Sequence, residues 1–324
     1  MIEVKHLTKR YGKHLAVDDL SFTVEDRTIC GFLGPNGAGK STTMNILTGC
    51  LAATEGEVTV NGHDIFEEPV EAKRQIGYLP EIPPVYPDST VREYLRFVAE
   101  ARKVPKGQRE AEIDRVIALT GITEYENRLI RHMSKGYRQR TGIAEALVGN
   151  PEVIILDEPT VGLDPQQIVE IRTLIASLKE EHTVILSSHI LSEVQAVSDK
   201  VLIINRGRIV ANDTPENLEK LFRNRTTVTA KLDGNEADVR AALENAIEGA
   251  ALTFRPEEGA VEVTVTSSEL DEKALARQLS AVAAEKGLLI LSLNVEHADL
   301  ETIFLELTEN DTAAPGAPKG GNES

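Results

Sequence analysis

Apolar residues in the first two thirds of the chain gather into short unbroken runs rather than alternating with polar ones. Residues 28–33, 153–156, 183–186 and 201–204 are mostly apolar and rich in β-branched side chains. Such runs are expected of strands buried on both faces of a parallel sheet. Helix-compatible stretches lie between them, among them 41–47, which Gly49 closes. Strands alternating with helices predict an α/β architecture.

Past residue 220 the pattern changes. It predicts a strand over 226–232, a helix over 236–246, strands over 251–254 and 261–266, a helix over 269–285 and a strand over 288–293, with a last helix near 298–307. The order βαββαβ is the split arrangement of ferredoxin-like α+β domains. Ser268 and Asp271 form a capping box before the long helix, and Gly287 stands just past its end. The expected organisation is therefore 1–220, an accessory α+β domain over 221–308, and a disordered tail over 309–324, where Gly, Pro, Ala, Asn and charge leave little to bury.

Charge sharpens this division. The 324 residues carry a formal net charge of −17, and from 221 onward nineteen acids stand against nine bases. A chain this acidic repels nucleic acid on average, so no nucleic-acid partner is expected. Cys30 and Cys50 are too few for a disulfide framework or a zinc site and fit a reducing compartment, the cytosol. No apolar run reaches the roughly eighteen residues of a membrane span, and the first residues alternate like a strand rather than a signal peptide. Any membrane role is expected to run through a partner.

The first strong chemical signal is Gly34-Pro35-Asn36-Gly37-Ala38-Gly39-Lys40-Ser41-Thr42, set between a predicted strand and a predicted helix. In that context it reads as a P-loop. Glycines let backbone N–H groups wrap a β-phosphate, and a helix start favours anions. Lys40 supplies a point charge for the β- and γ-phosphates, and Ser41 a hydroxyl for Mg²⁺. Asp157 and Glu158 follow the buried run 153–156, at the sheet edge where α/β proteins place ligands. Asp157 is placed to hold Mg²⁺ through its water shell, and Glu158 to polarise an attacking water. Ser187-Ser188-His189 closes another strand on the same edge. His189 either contacts the γ-phosphate and holds the water, or caps the helix that follows.

A further segment, Met133-Ser134-Lys135-Gly136-Tyr137-Arg138-Gln139-Arg140, precedes the acidic pair by about twenty residues. Ser134 at a helix start with small Gly136 beside it makes a second anion cradle. Together the set resembles the ATP-binding cassette (ABC) ATPases, over roughly residues 1–220, with this segment in the place of the family's signature. The resemblance implies ATP and Mg²⁺ as ligands. It places Tyr11 as the aromatic that stacks on adenine, with Val17 as its packing neighbour, and Val161-Gly162-Leu163-Asp164 as a D-loop whose Asp164 crosses to another protomer. It also implies a homodimer or heterodimer in which each P-loop faces the other subunit's signature.

Two departures stand out. Ile76-Gly77-Tyr78-Leu79-Pro80-Glu81 carries Glu81 where the family usually has a glutamine. A carboxylate can bind Mg²⁺ but has no N–H to donate. The signature has Lys135 and Tyr137 where glycine and glutamine are common. Both variants are similar to a prokaryotic exporter branch that includes drug-export ATPases. The resemblance thus implies an ATPase subunit that drives export through a separate integral membrane permease. That permease would hold it, cytoplasmic and peripheral, at the inner face of the membrane, with residues 81–131 receiving its coupling element. The competing reading, a soluble cassette acting on ribosomes or DNA, is disfavoured by the single cassette, the lack of sustained heptads and the negative charge. The second domain reads equally as a regulatory or dimerisation module and as a stabilising appendage.

Overall fold

The computed structural model describes residues 1–218 and, beyond them, 226–244, 246–247, 250–257, 259–267, 270 and 272–296. These fall into two compact units divided between Pro215 and Glu216.

The first unit opens with an antiparallel pair, β1 (Ile2–Tyr11) and β2 (His14–Val24), before the first fully buried strand, β3 (Ile29–Leu33). After α1 (Lys40–Leu47) come β4 (Glu55–Val60), β5 (His63–Asp64), α2 (Pro69–Arg74) and β6 (Ile76–Leu79). Three longer helices follow, α3 (Val91–Ala101), α4 (Arg109–Leu119) and α5 (Lys135–Leu147). The unit finishes with β7 (Val153–Asp157), α6 (Pro165–Leu178), β8 (Thr183–Ser188), α7 (Leu191–Gln195), β9 (Lys200–Asn205) and β10 (Arg208–Asp213).

Two sheets result. The central one runs β10-β9-β3-β8-β7-β6 and is parallel except for the β9–β10 hairpin; the other runs β2-β1-β4-β5 and is antiparallel. The unbroken apolar runs are explained by what lies on either face. Cys30, Phe32, Val153, Ile155 and Ile185 point into a core shared with α1 and the antiparallel sheet. Their neighbours Ile29, Ile154, Leu156, Val184 and Leu186 pack against α3 to α6. Because successive strand residues face opposite ways, a strand between two cores must be apolar at every position. The second sheet, by contrast, was not anticipated from the sequence.

The second unit has β11 (Thr226–Asp233), α8 (Glu236–Leu243), β12 (Ala250–Glu257), β13 (Ala260–Ser267), α9 (Glu272–Glu285) and β14 (Ile290–Glu296). The predicted order βαββαβ is present, in an antiparallel sheet β12-β13-β11-β14. Val228, Ala230, Leu232, Val261, Val263 and Val265 line one face and meet Val239, Leu243, Leu275 and Leu279 of the helices. The first helix ends at Leu243, short of the expected 246, and β12 runs on to Glu257. Gly287, at φ +67°, follows α9 as expected of a residue in the left-handed region. Ser268, Asp271, the helix near 298–307 and the tail lie outside the described residues. Among the described residues no helix is long and apolar enough to cross a membrane.

Candidate functional site

Between the end of β3 at Leu33 and the start of α1 at Lys40, the chain makes the glycine-rich turn. Two of its glycines are required by close approach. A Cβ on Gly34 would lie 2.5 Å from the Ile204 carbonyl oxygen, and one on Gly39, already at φ +107°, 2.5 Å from that of Ala16. Neither conformation nor space admits a side chain at Gly39. Ala38 is buried, and its N–H closes the turn onto Pro35 O at 3.1 Å. Asn36, Gly37 and Thr42 line a cleft of about 410 Å³ above the turn.

Lys40 is only 6% exposed, and its Nζ donates to Gly34 O at 2.8 Å and to Pro35 O at 3.4 Å. It also stands 3.4 Å from Glu158 Oε1. The Ser41 hydroxyl lies beside the Asp157 carboxylate, which closes β7 on the adjoining edge of the sheet. Ser187, at the end of β8, joins both acids. Its Oγ donates to Asp157 Oδ1 and accepts from the Glu158 N–H at 3.1 Å. Glu158 sits at φ +50°, a costly conformation for a side-chain-bearing residue, and its N–H contacts to Ser187 hold it there.

His189 Nδ1 lies 2.8 Å from Glu158 Oε2. The alternative of a helix cap is answered by the geometry, because Ser188 Oγ accepts the Ile190 N–H at 3.0 Å and α7 has no side-chain cap from His189. Burial raises the Asp157 carboxyl above its ordinary value; the hydrogen bonds from Ser187 and Ser41 oppose this, while the charges of Glu158 and Glu81 add to it. An acidic pair pressed together in a buried place is poised to receive positive charge.

Glu81, just past β6, lines the same cleft, as do Tyr11, His14 and Ala16. Tyr11 stands at the rim, 48% exposed, with Lys9 Nζ 5.3 Å from its ring centroid. Val17 is placed differently from the expectation: it is fully buried in the core between the sheets, and Ala16 presents its surface to the cleft instead. The period-2 alternation of β2 turns one neighbour out and the other in.

Ser134, Gly136 and Asp164 are not brought to this cleft. Ser134 caps α5, accepting the Tyr137 N–H at 3.4 Å, and Asp164 caps α6 through Gln167 N–H at 2.9 Å. A Cβ on Gly136 would reach the Gln167 side chain at 2.6 Å, which explains the small residue. Gly136 and Asp164 line a separate groove of about 180 Å³ with Tyr137 and Gln167. Lys135 lies against Gly162 of the segment that leads to Asp164.

Sequence reasoning gave no role to Ser187, His14 or Ala16. The signal for Ser187 was a small hydroxyl at a strand end beside two predicted carboxylates; for His14 and Ala16 there was none, because strand pairing puts them there.

A glycine-rich turn before a helix, a buried lysine and an acidic pair on adjoining strand ends define a P-loop nucleoside triphosphatase. Residues 17–161 match the family model described as ABC transporter. Over 96% of its length the chain is 36% identical to the bacitracin transport ATP-binding protein BcrA of Bacillus licheniformis, 98% of which is covered. It is 32% identical to the linearmycin resistance ATP-binding protein LnrL of Bacillus subtilis, with 95% and 98% of the two chains covered. A solved ATP-binding subunit of an ABC transporter superposes with a TM-score of 0.63 at 30% identity, over 68% of this chain and 93% of that one. A dimeric cassette in a post-hydrolysis state with ADP and Pi shares the fold, with a TM-score of 0.61 at 23% identity over 66% and 98%. The chain belongs to the ATP-binding proteins of ABC transporters and is an ATPase of that family.

Proposed function

We propose that this ATPase works as a dimer, homomeric or with a second cassette chain, and powers export through a separate integral membrane permease at the inner face of the membrane. The observation that carries the proposal is the bonded set Lys40–Glu158–His189, which lines one cleft with Ser41, backed by the Asp157–Ser187 pair. The triphosphate takes over the carbonyl acceptors of Lys40 as it enters along the N–H groups of the turn. Tyr11 stacks on the adenine. Glu158 accepts the proton of the attacking water, and His189, bonded to its other oxygen, holds the carboxylate in place and reaches toward the γ-phosphate.

Ser41 and Glu81 line the cleft and both act on the buried Asp157 carboxylate behind it; as hard oxygen donors the three suit Mg²⁺. When bound, the ion would neutralise phosphate charge. Ser134 and Gly136 of one subunit face the phosphates in the cleft of the other, with Asp164 crossing beside them.

The permease reading is supported by an exposed apolar patch on 81–131. Ile82 is 81% exposed, and the exposed Tyr86 packs edge-on against Tyr94 at 5.6 Å and against the exposed Phe97 at 5.5 Å. Such a patch beside Glu81 suits docking of a membrane subunit's cytoplasmic element. Export is supported by relatives whose names carry bacitracin transport and linearmycin resistance.

Glu158→Gln tests the reading. The amide keeps the shape and loses the basicity, so turnover is expected to fall by roughly 10²–10⁴ while ATP still binds and a stable dimer accumulates in size-exclusion chromatography. Near-normal steady-state hydrolysis removes Glu158 from the catalytic role.

A further inference from the structure

We infer that the first unit carries a second anion site, for a phosphate-bearing group, in the cleft where the C-terminal ends of α2, α3 and α5 meet. This cleft, about 550 Å³, is larger than the one above the glycine-rich turn. Its lining includes Lys73, Arg74, Arg102 and Lys103 and no acid. In a chain of net charge −17 that is a marked local reversal. Among the described residues Lys73, Arg74 and Lys103 make no ion pair or side-chain hydrogen bond.

The bland explanation is that these cations answer the helix ends. Three C-termini carry about −0.5 each, and Glu145 lies behind Arg102. Even together these leave a surplus of more than one positive charge. Arg102 is the recognising group. It is half-buried, and its guanidinium makes one protein hydrogen bond, to Ile76 O at 3.1 Å. Its remaining N–H groups have no protein acceptor and are not sealed from solvent. A planar fork with free donors, flanked by the exposed Lys73, Lys103 and Arg74, matches phosphate oxygens. Val70, Ala101 and Val148 line the rest of the wall and suit the carbon skeleton that carries the phosphate.

The bond from Arg102 to Ile76 O gives the site a consequence. Ile76 begins β6, which leads to Glu81 in the nucleotide cleft. An anion that draws on Arg102 therefore pulls on the strand that positions Glu81.

The test uses the full chain with its ATP cleft saturated by a non-hydrolysable analogue. Inorganic pyrophosphate is titrated calorimetrically, and co-sedimentation compares vesicles containing phosphatidylglycerol with pure phosphatidylcholine. Binding of at least one anionic probe is expected, weakening with salt. Sedimentation with phosphatidylglycerol alone assigns the site to a lipid headgroup, and pyrophosphate binding assigns it to a free phosphate compound. Each cation contributes roughly fivefold, so Lys73→Ala/Arg74→Ala/Lys103→Asn together should lose on the order of a hundredfold. Asparagine is chosen because Lys103 sits at φ +59°. Lys103→Asn alone should lose about fivefold with ATP affinity intact, which keeps the test valid should the triple variant fold poorly. Binding of neither probe, or wild-type affinity in the variants, overturns the proposal.

Discussion

The phosphate cleft and the Ser134–Gly136–Asp164 corner are built from the same kinds of part and finished to different degrees. Both begin with small residues at a helix start, at Gly39–Lys40 and at Ser134–Lys135. In the cleft the charged groups are already paired or crowded: Lys40 with Glu158, Ser187 with Asp157 beside Ser41, His189 with Glu158. At the corner Ser134 and Asp164 bond only the backbone N–H groups of their own helices. The one lining cation there, Arg140, is paired with Glu170, and the groove is less than half the volume of the cleft. The difference teaches that nucleotide binding is encoded within one chain, whereas hydrolysis under the dimer reading draws on a surface that one chain leaves unused.

Mutations on the two sides should therefore separate binding from turnover. Lys40→Ala removes the only lysine in the cleft lining and leaves Glu158 facing Asp157 uncompensated. A charge-assisted phosphate contact contributes about 1.5–3 kcal/mol, so ATP affinity should fall roughly ten- to a hundredfold by equilibrium titration. Unchanged affinity contradicts the cradle. Under the dimer reading, Ser134→Ala should leave the affinity of the isolated chain as it is and lower steady-state turnover by roughly tenfold, the weight of one hydrogen bond supplied across the dimer. An equal loss of binding in the monomer would place Ser134 in its own chain's cleft and erase the contrast.

A stability experiment reaches the cleft without nucleotide. Because burial raises the Asp157 carboxyl, the folded ligand-free protein holds that proton more tightly than the unfolded chain does. The stability linked to the proton is full below the ordinary carboxyl value and is lost as pH rises through the raised one. Asp157→Asn removes this loss. The nucleotide-free variant should thus melt above the wild type at pH 8, with the gap closing as pH falls through the raised value toward the ordinary carboxyl range. A gap that is flat or reversed across that range would show that Ser187 and Ser41 fully offset the burial.

How much of this was written legibly in the sequence follows from how local each signal is. The turn 34–42 is contiguous, and its glycines are demanded by contacts to Ala16 and Ile204 that any P-loop of this geometry must solve. The central strands declared themselves because two cores force apolar residues at every position. The antiparallel sheet did not, since β1 and β2 carry charged residues at their exposed positions and are interrupted by register shifts. Val17 and Ala16 exchanged places for the same reason: which of two neighbours faces a cleft is decided by pairing across β1 and β2, where Lys9 sits opposite Val17. In the second unit the order of elements was readable from alternation, while the ends of α8 and β12 were set by packing and pairing over distance.

The finest discrimination concerns Glu81, which stands in the cleft where the resemblance leads one to expect glutamine. It is exposed, lines the cleft with Lys40 and Ser41, and adds its negative charge to the field felt by Asp157. A glutamine there keeps an oxygen for a cation, gains an N–H for the attacking water and lifts one charge from an already crowded acidic pair. Glu81→Gln should therefore retain or modestly raise ATPase activity, within about threefold of wild type by the usual spread of single contacts, and should lower the apparent magnesium affinity slightly. Loss of magnesium-dependent turnover in this variant would show that the carboxylate itself is needed, and that the cleft is less complete within one chain than its bonded cluster implies.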